Sequence, residues 1–229
     1  MVQFRSVLKR LLNQALCIKN GKEPELILKK LELGMFASNC YIVGDESTKE
    51  GMIIDPGADA KQILRTVEDL GLTIKVIALT HSHMDHVGAL SEVKEATGAE
   101  IAIHTDEAKF FQRQPRRGVF NPFSQPLPDP DRLLQEGDTI DIGNLHFRVL
   151  HTPGHTPGGM CLLEEGIVFC GDTLFNFGIG RADFPGASYD QEIESIQTKL
   201  MTLPDATVVC PGHGPDTTIR VEREFNPFL

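Results

Sequence analysis

The chain has 229 residues, 41% hydrophobic and 24% charged, which suits one large globular domain with ample core. A formal net charge of −10 excludes an electrostatic grip on nucleic acid or on an anionic membrane. No apolar run approaches a membrane span or a signal-peptide core. The five cysteines, Cys17, Cys40, Cys161, Cys170 and Cys210, show no C-x-x-C spacing and read as reduced thiols of a cytoplasmic protein.

From Phe4 to Leu16 the chain is basic and free of acids, with Phe4, Val7, Leu8, Leu11, Leu12 and Ala15 at helical spacing. This predicts a helical extension over residues 1–24 appended to a domain spanning 25–229. Glu25–Leu33, Cys40–Val43 and Gly51–Ile54 read as strands, the third stopping at Asp55-Pro56-Gly57. Asp59 with Gln62 reads as an N-cap pair for a helix that buries Ile63, Leu64, Val67 and Leu70 and ends at Gly71. The apolar run Ile74–Leu79 predicts a strand buried on both faces, followed by one helix from about His86 to Thr97. Glu100–Ile103 is a further strand, and Thr105 is placed to cap a helix through Phe111.

Gln112–Pro130 holds five prolines together with Arg113, Arg116 and Arg117, and reads as a long surface loop. Strands resume at Thr139–Ile142, Leu145–Leu150, Met160–Leu163 and Ile167–Phe169. Ser188 with Gln191 caps a helix whose apolar face is Ile193, Ile196, Leu200 and Leu203, and Val208-Val209 forms the last strand.

Five of these apolar runs end in a turn bearing a metal-type ligand: Asp55, His81, His155, Asp172 and His213. Glycine or proline accompanies four of the turns, letting the backbone approach a shared centre. His81 and His83 are two apart, so in extended chain both point the same way, and Asp85 and His86 follow on the turn into a helix. Such nitrogen and oxygen donors suit zinc, iron or manganese. His104, His146 and His151 lie outside these turns and read as structural, and Cys170 reads as an inert thiol.

His81-x-His83-x-Asp85-His86, Pro153-Gly154-His155-Thr156, Gly171-Asp172-Thr173 and Pro211-Gly212-His213-Gly214, in that order, resemble the metallo-β-lactamase-fold superfamily. The resemblance covers residues 28–229 and implies a layered α/β fold, an αββα sandwich of two mixed β-sheets with outer helices. It also implies two divalent metal ions, zinc foremost with iron or manganese as substitutes. One would lie on His81, His83 and His155, the other on Asp85, His86 and His213, with Asp172 bridging and room for a bridging water or hydroxide. Asp55 would orient a ligand histidine from behind. The metal-site carboxylates Asp85 and Asp172 are the candidate catalytic residues.

Antibiotic-hydrolysing members usually carry cysteine in place of Asp172 and lack a histidine at His86, which disfavours a β-lactamase. Asn39-Cys40-Tyr41, Ile54-Asp55-Pro56-Gly57 and Gly171-Asp172-Thr173-Leu174-Phe175 are similar to the glyoxalase II (hydroxyacylglutathione hydrolase) branch. There Arg181 would contact the glycyl carboxylate of glutathione. Asp183 replaces that branch's substrate-contacting tyrosine, and the 16 residues after His213 are too few for its C-terminal helical domain. The resemblance therefore implies a short metal-dependent thioesterase acting on a small-molecule thioester or another thiol-derived substrate, without nucleic acid or membrane partners. A homo-oligomer is allowed for. The alternative on the same scaffold is a mononuclear iron persulfide dioxygenase, which Gly180-Arg181-Ala182-Asp183-Phe184 also resembles. A non-catalytic zinc domain would need only four closed ligands, fewer than the seven offered.

Overall fold

A computed structural model of the chain describes residues 25–111 and 127–229. The helical extension expected over 1–24, and most of the arginine-bearing loop, lie outside the described residues. The first of two six-stranded sheets runs in the order β1 (Leu26–Leu33), β2 (Ser38–Asp45), β3 (Glu50–Ile54), β4 (Thr73–Leu79), β5 (Glu100–His104), β6 (Arg132–Leu134). Its first three strands are antiparallel and its last four parallel. The second sheet has β7 (Thr139–Ile142), β8 (Leu145–His151), β9 (Met160–Glu164), β10 (Ile167–Gly171), β13 (Val208–Pro211) and β14 (Thr217–Thr218) as neighbours in that order. A small hairpin, β11 (Leu174–Phe175) and β12 (Gly178–Ile179), stands apart.

Side-chain alternation divides the buried residues into layers. Met52, Ile54, Val76 and Ala78 face Phe147, Val149, Leu162 and Phe169 across the inter-sheet core. Ile53, Ile77 and Leu79 point the opposite way, onto Ile63, Val67, Leu90 and Val93 of the outer helices. On the far side, Val168, Cys170 and Val209 pack against Ile196, Leu200 and Ile219. Two mixed sheets with a helical layer outside each make the expected αββα sandwich. Burial of β3 and β4 on both faces explains their near-continuous apolar sequence.

The helices depart from expectation where a local contact competes. Helix α1 (Ala60–Leu70) ends at Gly71 with φ 66°, its N–H bonding back to the Glu68 and Val67 carbonyls. At its start, Asp59 makes no side-chain cap; its carboxylate accepts the Gly34 N–H at 3.3 Å. The single helix expected from His86 is two, α2 (Met84–Val87) and α3 (Leu90–Thr97). The cause is the Asp55-Pro56-Gly57 turn. A Cβ on Gly88 would lie 2.2 Å from the Gly57 carbonyl oxygen, and Ala89 N–H donates to Pro56 O at 2.9 Å. Helix α4 (Thr105–Phe111) includes Thr105, whose hydroxyl donates to Leu134 O at 3.1 Å while His104 Nδ1 accepts the Asp106 N–H at 3.2 Å. Ser188 caps α5 (Tyr189–Ser195) as expected, accepting from Gln191 N–H, and the helix continues as a π turn over Ile196–Leu200. The short helix α6 (Ile219–Phe225) and strands β6, β11, β12 and β14 had no counterpart in the sequence reading.

The parallel pairings put the carboxyl ends of β3, β4 and β5 on one edge of the first sheet, and those of β8, β10 and β13 on one edge of the second. Backbone bonds join these edges: Asn39 N–H to Gly212 O at 2.7 Å and Met160 N–H to Thr80 O at 2.9 Å. Asn39 Nδ2 and the Tyr41 hydroxyl both donate to Pro211 O, each at 2.8 Å. The turns that bear the candidate ligands therefore meet along one line.

Candidate metal centre

Of the side-chain groups with ligand atoms within 4.8 Å of one another, two at this line match the expected sets, His81, His83 and His155, and Asp85, His86 and His213, while a third, Asp55, His81 and His86, overlaps both. In the first, His83 Nδ1 and His155 Nε2 are 2.9 Å apart. In the second, His213 Nε2 lies 3.1 Å from Asp85 Oδ2 and 3.3 Å from His86 Nε2. Asp172 faces both. Its Oδ2 is 3.9, 3.6 and 3.7 Å from Nε2 of His81, His155 and His213, and its Oδ1 is 3.4 Å from His86 Nε2. The structure thus gathers all seven side chains singled out in the sequence.

The outward nitrogens show which inward ones are free. His155 Nδ1–H donates to Arg181 O at 2.7 Å and His213 Nδ1–H to Phe36 O at 3.1 Å. His86 Nδ1–H donates to Asp55 Oδ2 at 3.0 Å, and His81 Nδ1 lies 3.2 Å from Thr80 Oγ1. The bonds to carbonyl and carboxylate oxygens place a proton on the outer nitrogen of His155, His213 and His86, so the inner nitrogen is the one available to a cation. His81 Nε2 and Asp172 Oδ1 are buried without a hydrogen-bond partner, and His83 and His155 turn ring nitrogens toward each other. Inward-facing acceptors of this kind call for a cation, so the donor set fits a metal. Asp55 is placed as expected. It has φ 52°, accepts the Thr80 N–H and hydroxyl at 2.8 and 2.5 Å, and so ties β3 to the start of the His81 loop.

The electrostatics of the two groups differ. Burial, reinforced by neighbouring imidazoles, pushes His81 well below the usual histidine range and His83 down to about 4. For His86, burial is overcome by the Asp172 charge and by hydrogen bonds to Asp172 and Asp55, which raise it well above that range. A hydrogen bond to Asp85 raises His213. Against its own burial, Asp85 is held down to about 2 by His213 and His86.

Two buried carboxylates around the site escaped the sequence reading. Glu107, on α4, accepts the Ser82 N–H and hydroxyl at 2.9 and 2.6 Å and the Gly158 N–H at 3.1 Å. Glu192, on α5, accepts the His155 N–H at 2.5 Å. Burial, with the Asp172 charge adding to it, raises Glu192 to about 8. Arg181 is exposed and held in a fork by Asp183, with Nε–Oδ1 3.0 Å and Nη2–Oδ2 2.8 Å, while its guanidinium sits 4.2 Å over the Phe184 ring. Phe184 in turn lies edge-on to His83 and His155, ring centroids 5.6 and 6.3 Å away.

The histidines read as structural lie away from these groups, although His104 and His151 form with Asp106 a further set of ligand-type atoms within 4.8 Å of one another. His104 and His151 stack with centroids 3.9 Å apart and planes at 13°, so their in-plane lone pairs do not converge on one ion. His151 Nε2 contacts Pro157 O at 3.2 Å, and exposed His146 pairs with Asp141 at 2.7 Å. Burial raises the Cys170 thiol far from reactivity.

Comparison with known proteins agrees with this architecture. The metallo-beta-lactamase superfamily profile matches residues 33–213, and the chain belongs to that superfamily. It is 42% identical over 201 residues to hydroxyacylglutathione hydrolase GloC of Haemophilus influenzae, covering 85% of this chain and 93% of the relative. Among solved structures, the BLEG-1 B3 metallo-beta-lactamase superposes with TM-score 0.81 at 35% identity, over 89% of this chain and 99% of that one. ETHE1 from Myxococcus xanthus gives 0.72 at 32%, over 88% and 83%. TTHA1623 in a di-iron-bound form gives 0.74 at 35%, over 88% and 100%.

Proposed function

We propose that the protein is a metal-dependent thioesterase of the hydroxyacylglutathione hydrolase type, working in the cytoplasm with two divalent ions, zinc foremost. The observation that carries this reading is Asp172, a part-buried carboxylate within 3.4–3.9 Å of ring nitrogens from both histidine groups. The name of the Haemophilus relative adds to it. His81 Nε2, His83 Nδ1 and His155 Nε2 would hold one ion; Asp85, His86 Nε2 and His213 Nε2 would hold the other, with Asp172 shared. Bound there, the ions supply a water acidified toward neutrality and a positive centre for the thioester carbonyl oxygen.

The chain's own residues do the rest. Asp85, held near pKa 2, stays ionised throughout the neutral range. Asp172 and Asp85 orient the attacking water by accepting its hydrogen bonds. Water oxygen bonds to the acyl carbon, the C–S bond breaks, and the products are a carboxylate and a thiolate, with the two protons of the water passing to solvent. A thiolate leaves without a dedicated general acid, and none is assigned.

The second reading is the persulfide dioxygenase, favoured by the ETHE1 neighbour. Protein loaded in turn with zinc, iron and manganese should cleave S-lactoylglutathione, followed by loss of thioester absorbance, and should leave oxygen unconsumed with glutathione persulfide. Oxygen uptake without thioester cleavage under any metal would replace the first reading with the second.

Arg181 is proposed to meet the carboxylate of the thiol half, in competition with Asp183. Asp183→Asn should then lower KM for S-lactoylglutathione roughly two- to fivefold, the range of an exposed ion pair, with kcat unchanged. A KM that does not move in steady-state kinetics would remove Arg181 from the substrate site.

A further inference from the structure

The two candidate metal positions differ at one ligand, His83, since His155 is held by the Arg181 carbonyl and His81 lies against the Thr80 hydroxyl. The Asp85–His86–His213 position is fixed through its side chains, His86 by Asp55 and His213 by the Phe36 carbonyl. In the other position His83 has only one ring nitrogen engaged, the Nδ1 facing His155. Among the described residues its outer nitrogen makes no hydrogen bond; the ring meets the edges of Phe110 and Phe184. His83 is therefore aimed mainly by its backbone.

That backbone is gripped by Glu107. One carboxylate oxygen takes both donors of Ser82, the residue between His81 and His83, and the other takes the Gly158 N–H, three residues past His155. One fully buried side chain so ties together the two segments that carry all three ligands. Glu192 holds the same turn from the opposite side through the His155 N–H. The fit is close in both places. A Cβ on Gly158 would lie 1.9 Å from Glu107 N, and one on Gly154 would lie 2.2 Å from Glu192 Oε2. Neither glutamate has a cationic partner among the described contacts, so two buried carboxylates are kept for backbone N–H groups and a hydroxyl. Removing such an acceptor would leave buried N–H groups unpaired; Glu107 accepts three of these bonds and Glu192 one, with Glu192 Oε1 buried and without a hydrogen-bond partner.

We propose that Glu107 and Glu192 are positioning residues for the His81–His83–His155 metal position, and that the other position does not depend on them. The proposal rests on metal binding at these ligands and is independent of which substrate is cleaved.

The test is metal affinity, measured on the full chain by competition of zinc with a chromophoric chelator. Glu107→Ala should weaken one of the two bound ions about 10- to 100-fold, the usual cost of removing a support behind a ligand, and shift the other less than about threefold. In a His213→Ala background the remaining ion should show the whole loss; in a His83→Ala background Glu107→Ala should change nothing further. Glu192→Ala should act like Glu107→Ala, and Glu192→Gln should restore affinity because an amide oxygen still accepts the His155 N–H. Glu107→Gln keeps the Ser82 bonds but sets an amide N–H₂ against the Gly158 N–H, so a partial loss is expected; it also serves as the test if the alanine variant fails to fold. Equal weakening of both ions, an unchanged affinity, or failure of Glu192→Gln to rescue would overturn the proposal.

Discussion

Asp172→Ala should abolish thioester turnover, by at least about 10²–10³-fold in kcat, and lower bound metal from two ions per chain toward one. The side chain follows a strand at the junction of the two ligand groups and reaches both: Oδ1 faces His86, while Oδ2 faces His81 and His155 of one group and His213 of the other. Asp85 approaches only His86 and His213, so it is no substitute. The packing around Asp172 leaves no room for rearrangement, since a Cβ on Gly212 would lie 2.2 Å from its Oδ1 and one on Gly180 would lie 1.9 Å from its carbonyl oxygen. Asp172→Asn keeps the volume and removes the charge. It should retain the fold and still lose metal, which separates charge from shape. Metal analysis alongside the thioester assay checks both variants; turnover above about a tenth of the parent with full metal content would mean that Asp172 is not the shared group.

The site was legible in the sequence for a topological reason. In parallel-paired strands the residues that follow carboxyl ends collect at one edge, so an apolar run followed by Asp-Pro-Gly or Pro-Gly-His states both a direction and a ligand. That logic brings Asp55, His81, His155, Asp172 and His213 together from the sequence alone. It could not reach Glu107 and Glu192. A glutamate on an amphipathic helix reads as a solvated face, and only the fold shows that these two point inward at backbone N–H groups. The break at Gly88 was hidden for a similar reason: it is forced by the Gly57 carbonyl, a partner 31 residues away. Strands of two or three residues, such as β6, β11, β12 and β14, are too short to carry a period. Helix α6, Ile-Arg-Val-Glu-Arg-Glu-Phe, buries only Ile219 and Glu222, a pattern that composition reads as exposed. Glu222 shows the same inversion, accepting from the Thr217 hydroxyl at 2.6 Å and the Phe177 N–H at 2.9 Å.

Lowering the pH should empty the two metal positions in turn, the Asp85–His86–His213 position first. A metal must displace any proton on its ligands. His81 and His83 are already neutral at pH 7, the first pushed well below its usual range by burial and the second to about 4. His86 is raised by Asp172 and Asp55 against the pull of burial, and His213 is raised by Asp85, so both hold protons more firmly than a free imidazole. Below their raised values, affinity at this position should fall about tenfold per pH unit for each proton displaced. The His81–His83–His155 position should release its ion at lower pH, because His81 and His83 compete for protons less than a free imidazole does. The metal-free protein carries the same asymmetry with definite signs. His86 and His213 bind more protons folded than unfolded, so their stabilisation is complete below the ordinary value of 6.5 and is lost as pH rises through their folded values. His83 does the reverse: between 6.5 and about 4 the unfolded chain binds the extra proton, and stability is lost as the pH drops through that window. These four histidines therefore place a stability maximum near pH 6.5 in the metal-free chain. Metal content after equilibrium dialysis from pH 8 to pH 4, and thermal unfolding of the metal-free protein over the same range, measure the two effects separately. Loss of both ions in a single step, or earlier loss from the three-histidine position, would show that Asp172 and Asp55 do not divide the charge in this way.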